Sequence, residues 1–165
     1  MTVFHRTVAR PLVLKCAALF LQRFDPSLQP GSLPGTEQAH LLRGLYRFQL
    51  YCNLFGKSPK PGGYYVVGRL SAADILALFF VSFSPWEVEE IDCIYTMIWN
   101  KYNVVLDVVR YNLAKKSDRQ LLRQGIVLNG LTLFSEVLEI YDHKVLVNTM
   151  EQYLVKSGAL ERVLS

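Results

Sequence analysis

The chain has 165 residues, is 51% hydrophobic and 19% charged, and carries a net charge of +4. That length suits one domain with a core of its own, and a charged fraction below the roughly 25% of ordinary soluble domains points to a surface that a partner covers. The longest uncharged apolar stretch, residues 75–83, falls well short of the roughly 20 residues that cross a bilayer, so no membrane span is predicted.

Charge is unevenly placed. Residues 1–70 hold nine Lys or Arg and two acids, whereas residues 71–165 hold nine basic and twelve acidic residues. Such halves attract each other or steer partners. Residues 1–24 contain Arg6, Arg10, Lys15 and Arg23 and no acid. That pattern resembles a weak mitochondrial transit segment, and the simpler reading is a basic amphipathic helix packed on the domain.

The first predicted helix is Arg10–Phe24, with Pro11 in the first turn, where a missing N–H costs nothing. A loop rich in Pro and Gly follows. Thr36 then caps a second helix to Phe55, on which Leu41, Leu45, Phe48, Cys52 and Phe55 share one face at spacings of three and four. Leu42, Tyr46 and Leu50 widen that face, and Gly56 stops the helix. Residues 57–70 read as an extended loop. Ser71 caps a short helix from Ala72 to Phe83, with Asp74 at its positively polarised end. Its run ILALFFVSF is apolar all round and predicts a central position.

Ser84-Pro85-Trp86-Glu87 is the sharpest local signal. Ser84 is the N-cap, Pro85 the first helical residue, and Glu87 closes a capping box. Ile91, Ile94, Ile98, Tyr102, Val105 and Val109 continue one apolar face toward Leu113, which makes this helix the spine of the domain. Ser117 and Asp118 restart a helix that Gly125 ends or kinks. Asn129 caps another, carrying Leu131, Phe134, Val137 and Leu138. Asp142 opens a last segment to Lys156. The expectation is an all-α, irregular bundle of six or seven helices around one long central helix, forming a single domain over residues 1–165 with a semi-independent basic helix at 1–24.

Chemistry-bearing patterns are sparse. His5, His40 and His143 are isolated, and no metal-ligand spacing, nucleophile elbow or phosphate loop occurs. No catalytic, cofactor-binding or metal-binding residue is assigned, and no enzyme activity is expected. Cys16, Cys52 and Cys93 form no C-x-x-C pair. Each reads as a small buried hydrophobe in a reducing, intracellular compartment, cytoplasmic or nuclear. Glu87, Glu89, Glu90 and Asp92 complement the dipole of the helix they open.

The candidate partner-binding residues are Trp86, Tyr64, Tyr65, Arg43 and Arg47. Tyr64 and Tyr65 lie in a loop and Trp86 at a helix start, where helical periodicity asks for no large aromatic. They are interface anchors, or in the case of Trp86 a plug in the core. Arg43 and Arg47, four apart and interleaved with Tyr46 and Tyr51, either present a basic aromatic strip to RNA or an acidic peptide, or pair with the acidic start of the Trp86 helix.

At RGLYRFQLYCNLFG (Arg43 to Gly56) and SPWEVEEIDCIY (Ser84 to Tyr95), the chain resembles a group of uncharacterised proteins of filamentous fungi. These share an R-x-LYRF-x-x-YCNLF helix followed by a PWE-x-E helix. In that group the region often follows an F-box-like segment. The resemblance covers roughly residues 36–140 and implies a helical module of a substrate receptor for a ubiquitin ligase. Residues 1–24 are shorter than a whole F-box, so the expectation is either a short paralogue or a shortened gene product. The functional expectation is a non-enzymatic protein-interaction module. Nucleic-acid binding through the basic N-terminal half is the alternative, and composition also allows a homodimer.

Overall fold

A computed structural model describes residues 2–24, 33–56, 71–109 and 125–156. All regular structure among them is helical. A π-helical segment, His5–Ala9, runs straight into α1, Arg10–Phe24. There follow α2 (Gly35–Phe55), α3 (Ala72–Leu78), a 3-10 turn (Phe80–Ser82), α4 (Pro85–Val109), α5 (Gly130–Glu139) and α6 (His143–Lys156). None of the described helices is long and apolar enough to cross a membrane.

The centre is the packing of α2 on α4. The α2 face predicted from spacing is the buried one: Leu45, Phe48, Cys52 and Phe55 are all in the core. On α4, Ile91, Ile94, Ile98, Tyr102 and Val105 meet them. The two helices come closest at Gly44. A Cβ built there would lie 3.0 Å from the Glu90 carbonyl oxygen and 3.3 Å from Ile94 Cγ1. A Cβ at position 44 would need its neighbours to give by a few tenths of an ångström, and a larger side chain would hold the helices apart. Around this pair, α1 packs on α2 and buries Leu12, Val13, Cys16 and Ala17, so the basic N-terminal helix is docked. From the other side α6 packs on α4 and buries Leu146 and Met150. Lys15 of α1 forms an ion pair with Glu139 at the end of α5.

The start of α5 is capped from outside the segment. Asn129 precedes it, but its side chain turns back and donates to the carbonyls of Gly125 (3.1 Å) and Ile126 (3.2 Å). The free N–H of Leu131 is instead taken by Gln49 Oε1 of α2, at 2.8 Å. An unmet donor at a helix N-terminus is satisfied by a neighbouring helix. Residues 125–127 are helical and the break before α5 falls at residues 128–129, so no helix ends at Gly125. Gly130 adopts φ +77°, a left-handed conformation that costs a side-chain-bearing residue about 1–2 kcal/mol.

Three further expectations are corrected. The apolar α3 segment is peripheral, because Leu76, Leu78 and Val81 are exposed and only Phe79 is buried. Phe79 anchors the segment to α2, its ring 5.6 Å from that of Tyr51 and 5.7 Å from that of Phe55. Helix α2 starts at Gly35 with Pro34 before it, so Thr36 lies inside the first turn. Tyr46 and Leu50 lie on the exposed edge of the α2 face. The loop at 57–70, the restart at Ser117-Asp118 and residues 110–113 of the long helix lie outside the described residues.

Candidate functional site

The N-terminus of α4 is built as its sequence specifies. The Glu87 carboxylate accepts from the Ser84 backbone N–H (2.9 Å) and from the Ser84 hydroxyl (2.7 Å). The same carboxylate pairs with Arg47 of α2. Arg47 is mostly buried, lies over the Phe83 ring with its guanidinium carbon 5.4 Å from the centroid, and donates to Glu90 Oε2 at 2.7 Å. Arg43 reaches Glu90 Oε1 at 3.1 Å, and His40 Nδ1 lies 2.6 Å from that oxygen. The same Nδ1 lies 2.8 Å from Arg43 Nη2, so His40, Arg43 and Glu90 meet at one point. Arg43 and Arg47 therefore face the acidic start of the Trp86 helix, one of the two arrangements open to them from sequence.

This network clamps α2 to α4 one turn from Gly44. The Ser84 hydrogen bonds, helped by the nearby Arg47 and Arg43 charges, hold the Glu87 carboxyl below its usual range. For Glu90, burial pushes upward. The hydrogen bonds from His40 and Arg43 and the two arginine charges outweigh it, and its carboxyl also sits low. Asp74 is lowered too, by hydrogen bonds from Ser71. A carboxylate depressed in the folded state binds fewer protons there than in the unfolded chain. The stability it contributes is complete above the ordinary carboxylate range and is lost as pH falls through the folded values. The urea midpoint is thus expected to be flat from pH 7 to about 5 and to drop below that. Arg47→Met should lower it at neutral pH by an amount equivalent to about 1–2 kcal/mol and flatten the acid limb.

Trp86 does not plug the core. Its side chain is 63% exposed. Leu76 (62%), Leu78 (65%) and Val81 (74%) stand exposed in the stretch leading to it. Four large apolar side chains thus face outward over residues 76–86. Beyond Trp86 the outer stripe of α4 continues with Glu89, Cys93, Thr96 and Asn100 at spacings of three and four, all exposed, with Asp92 beside them. Among the described residues Glu89 and Asp92 take part in no ion pair. Tyr64 and Tyr65 lie outside the described residues. Leu76, Leu78 and Val81 are exposed where the sequence reading expected burial, and so join the candidate residues. The usable signal was a short apolar segment with no polar face, which one neighbour cannot enclose.

All three cysteines are free thiols, but they differ. Burial pushes Cys16 and Cys52 up to about 12. The Cys52 thiol also donates to the Val127 carbonyl at 3.8 Å. Cys93, expected inside, is exposed on the outer stripe of α4. Its thiol is raised by partial burial and by the adjacent charges of Asp92 and Glu89. One thiol should react with an aromatic disulfide reagent in the native protein, and all three in denaturant. Loss of the native signal in Cys93→Ser would confirm the assignment.

Comparison of the chain with protein-family models, with curated proteins and with solved structures gives no match.

Proposed function

We propose that this chain is a non-enzymatic protein-interaction module that docks a partner through the exposed strip at residues 76–86, with Trp86 as its anchor. The carrying observation is the 63% exposure of Trp86 at a helix start held by the Arg47 ion pairs, with Leu76, Leu78 and Val81 also exposed in the segment before it. Contiguous apolar side chains on a surface mark interaction sites, and tryptophan is enriched among the residues that dominate binding energy. The resemblance over residues 36–140 supports a narrower form: an F-box-type substrate-receptor region, working inside the cell. Arg43 and Arg47 are positioning residues in this reading, since their guanidinium groups hold the strip's supporting helix in place.

Capture from a filamentous-fungal lysate, followed by reconstitution with the purified captured protein, tests the reading. Binding should change little with salt and be lost in Trp86→Ala. Recovery of nucleic acid alone, released by salt, would overturn the reading and favour the basic N-terminal half as the binding element.

A further inference from the structure

Helix α3 is seven residues long, well under the roughly 12 that an isolated helix needs to persist in water. Only docking can hold it in place, and its docking is narrow. Ala73, Asp74, Leu76, Ala77 and Leu78 are exposed, and Ile75 is half-buried. The main contacts of α3 are with the 3-10 turn that follows it. The fastening comes from three phenylalanines. Phe79 is buried, and Phe80 and Phe83 pack half-buried beside it. The Phe79 ring meets those of Tyr51 and Phe55, the Phe80 ring lies 5.8 Å from Tyr51, and Phe83 lies under Arg47. These ring spacings are those of favourable aromatic pairs. Arg47, Tyr51 and Phe55 are four apart on one helix, so the three phenylalanines land on a single stripe of α2.

We propose that residues 71–82 form a flap over this stripe, which opens as a unit while the α2–α4 core stays folded. Phe79 is its bolt. Its pivot is Phe83, whose extended backbone (φ −117°, ψ 148°) joins the 3-10 turn to Ser84. The far side of the pivot is fixed, because Ser84 is hydrogen-bonded to Glu87 and Glu87 is paired with Arg47. Opening at Phe83 leaves the clamp on Glu90 and the Gly44 crossing intact. It costs little burial, because Leu76, Leu78 and Val81 are in water already. Elements that bury few apolar side chains are the ones that open locally. The open form uncovers Tyr51 and Phe55, so the fold carries an aromatic face of α2 that its own flap covers and releases. The inference does not depend on Trp86 or on the docking reading.

Native-state hydrogen exchange of the full chain at low urea concentrations tests it. The reporters are the amides of Ile75, Phe79 and Ser82, which donate to the carbonyls of Ser71, Ile75 and Phe79. Their protection should be at least about a hundredfold lower than that of core amides in residues 45–52 and 94–102, with little dependence on urea. Phe79→Ala should remove what protection they have, while circular dichroism and the core amides show α2 and α4 still folded. Leu76→Ala, on the exposed side, should change their rates by less than about threefold. If the three amides share the protection and urea dependence of the core, the segment opens only with the whole domain and the proposal fails. Unchanged exchange in Phe79→Ala, or collapse of the whole chain, would equally overturn it.

Discussion

Phe48→Ala is expected to remove about 3–5 kcal/mol of folding stability, a large part of what a domain of this size possesses. Phe48 is fully buried on the α2 face that packs against α4. Truncation removes the transfer energy of the ring and leaves a cavity between two long helices, which cannot close without breaking the clamp of Arg47 on Glu87 and Glu90. The check is an equilibrium urea titration. The midpoint should fall steeply with little change in slope, and Phe48→Leu should recover most of the loss. A loss below about 1 kcal/mol would mean that the α2–α4 contact is not the core of the domain.

Gly44→Leu should be comparably damaging for the opposite reason. The obstacle at position 44 is the Glu90 backbone carbonyl, 3.0 Å from an ideal Cβ position, and backbone in a helix cannot turn aside as a long side chain can. Overpacking typically costs about 1–3 kcal/mol, and a bulky side chain at a helix crossing belongs at the upper end or beyond. Alanine is a poorer probe. It gains about 1 kcal/mol of helix propensity over glycine, and this offsets the strain of a single tight contact. Thermal unfolding of Gly44→Leu beside Leu54→Ala, an exposed α2 position, separates crossing strain from general intolerance. Equal midpoints for the two variants would refute the close crossing.

Local signals were the readable part of this fold. Ser84, Pro85 and Glu87 act within one turn, and the helix they announce begins where they place it. The α2 face was legible because spacing of three and four is itself a geometric statement about burial. Elements whose outcome depends on a distant partner were not legible. Asn129 has the chemistry of an N-cap, yet Gln49 does the capping, 82 residues earlier in the chain. Gly44 looks in sequence like a weak spot in a helix, and only the crossing with α4 explains it. The same holds at the site. Arg47 had two chemically sensible uses, and the position of Glu90 selects one.

The α3 segment carries the most useful discrepancy. Apolar residues on every side predict burial on every side, but Phe79 enters the core, Ile75, Phe80 and Phe83 pack half-buried against it, and Leu76, Leu78 and Val81 stay outside. The hydrophobicity that misplaced the segment is the same property that leaves Leu76, Leu78, Val81 and Trp86 exposed as candidates for docking. Trp86 was singled out because periodicity did not require it, and its exposure agrees with that argument. For Tyr64 and Tyr65 the matching argument falls outside the described residues.

The central claim is that Trp86 serves binding and not folding. Its most direct test is partner retention by Trp86→Ala, measured on material whose thermal midpoint is recorded alongside. The account predicts a midpoint within roughly 2 °C of the parent chain, as for an exposed side chain, together with loss of the partner. A midpoint lowered as far as that of Phe48→Ala, or a partner retained at full affinity, would contradict it.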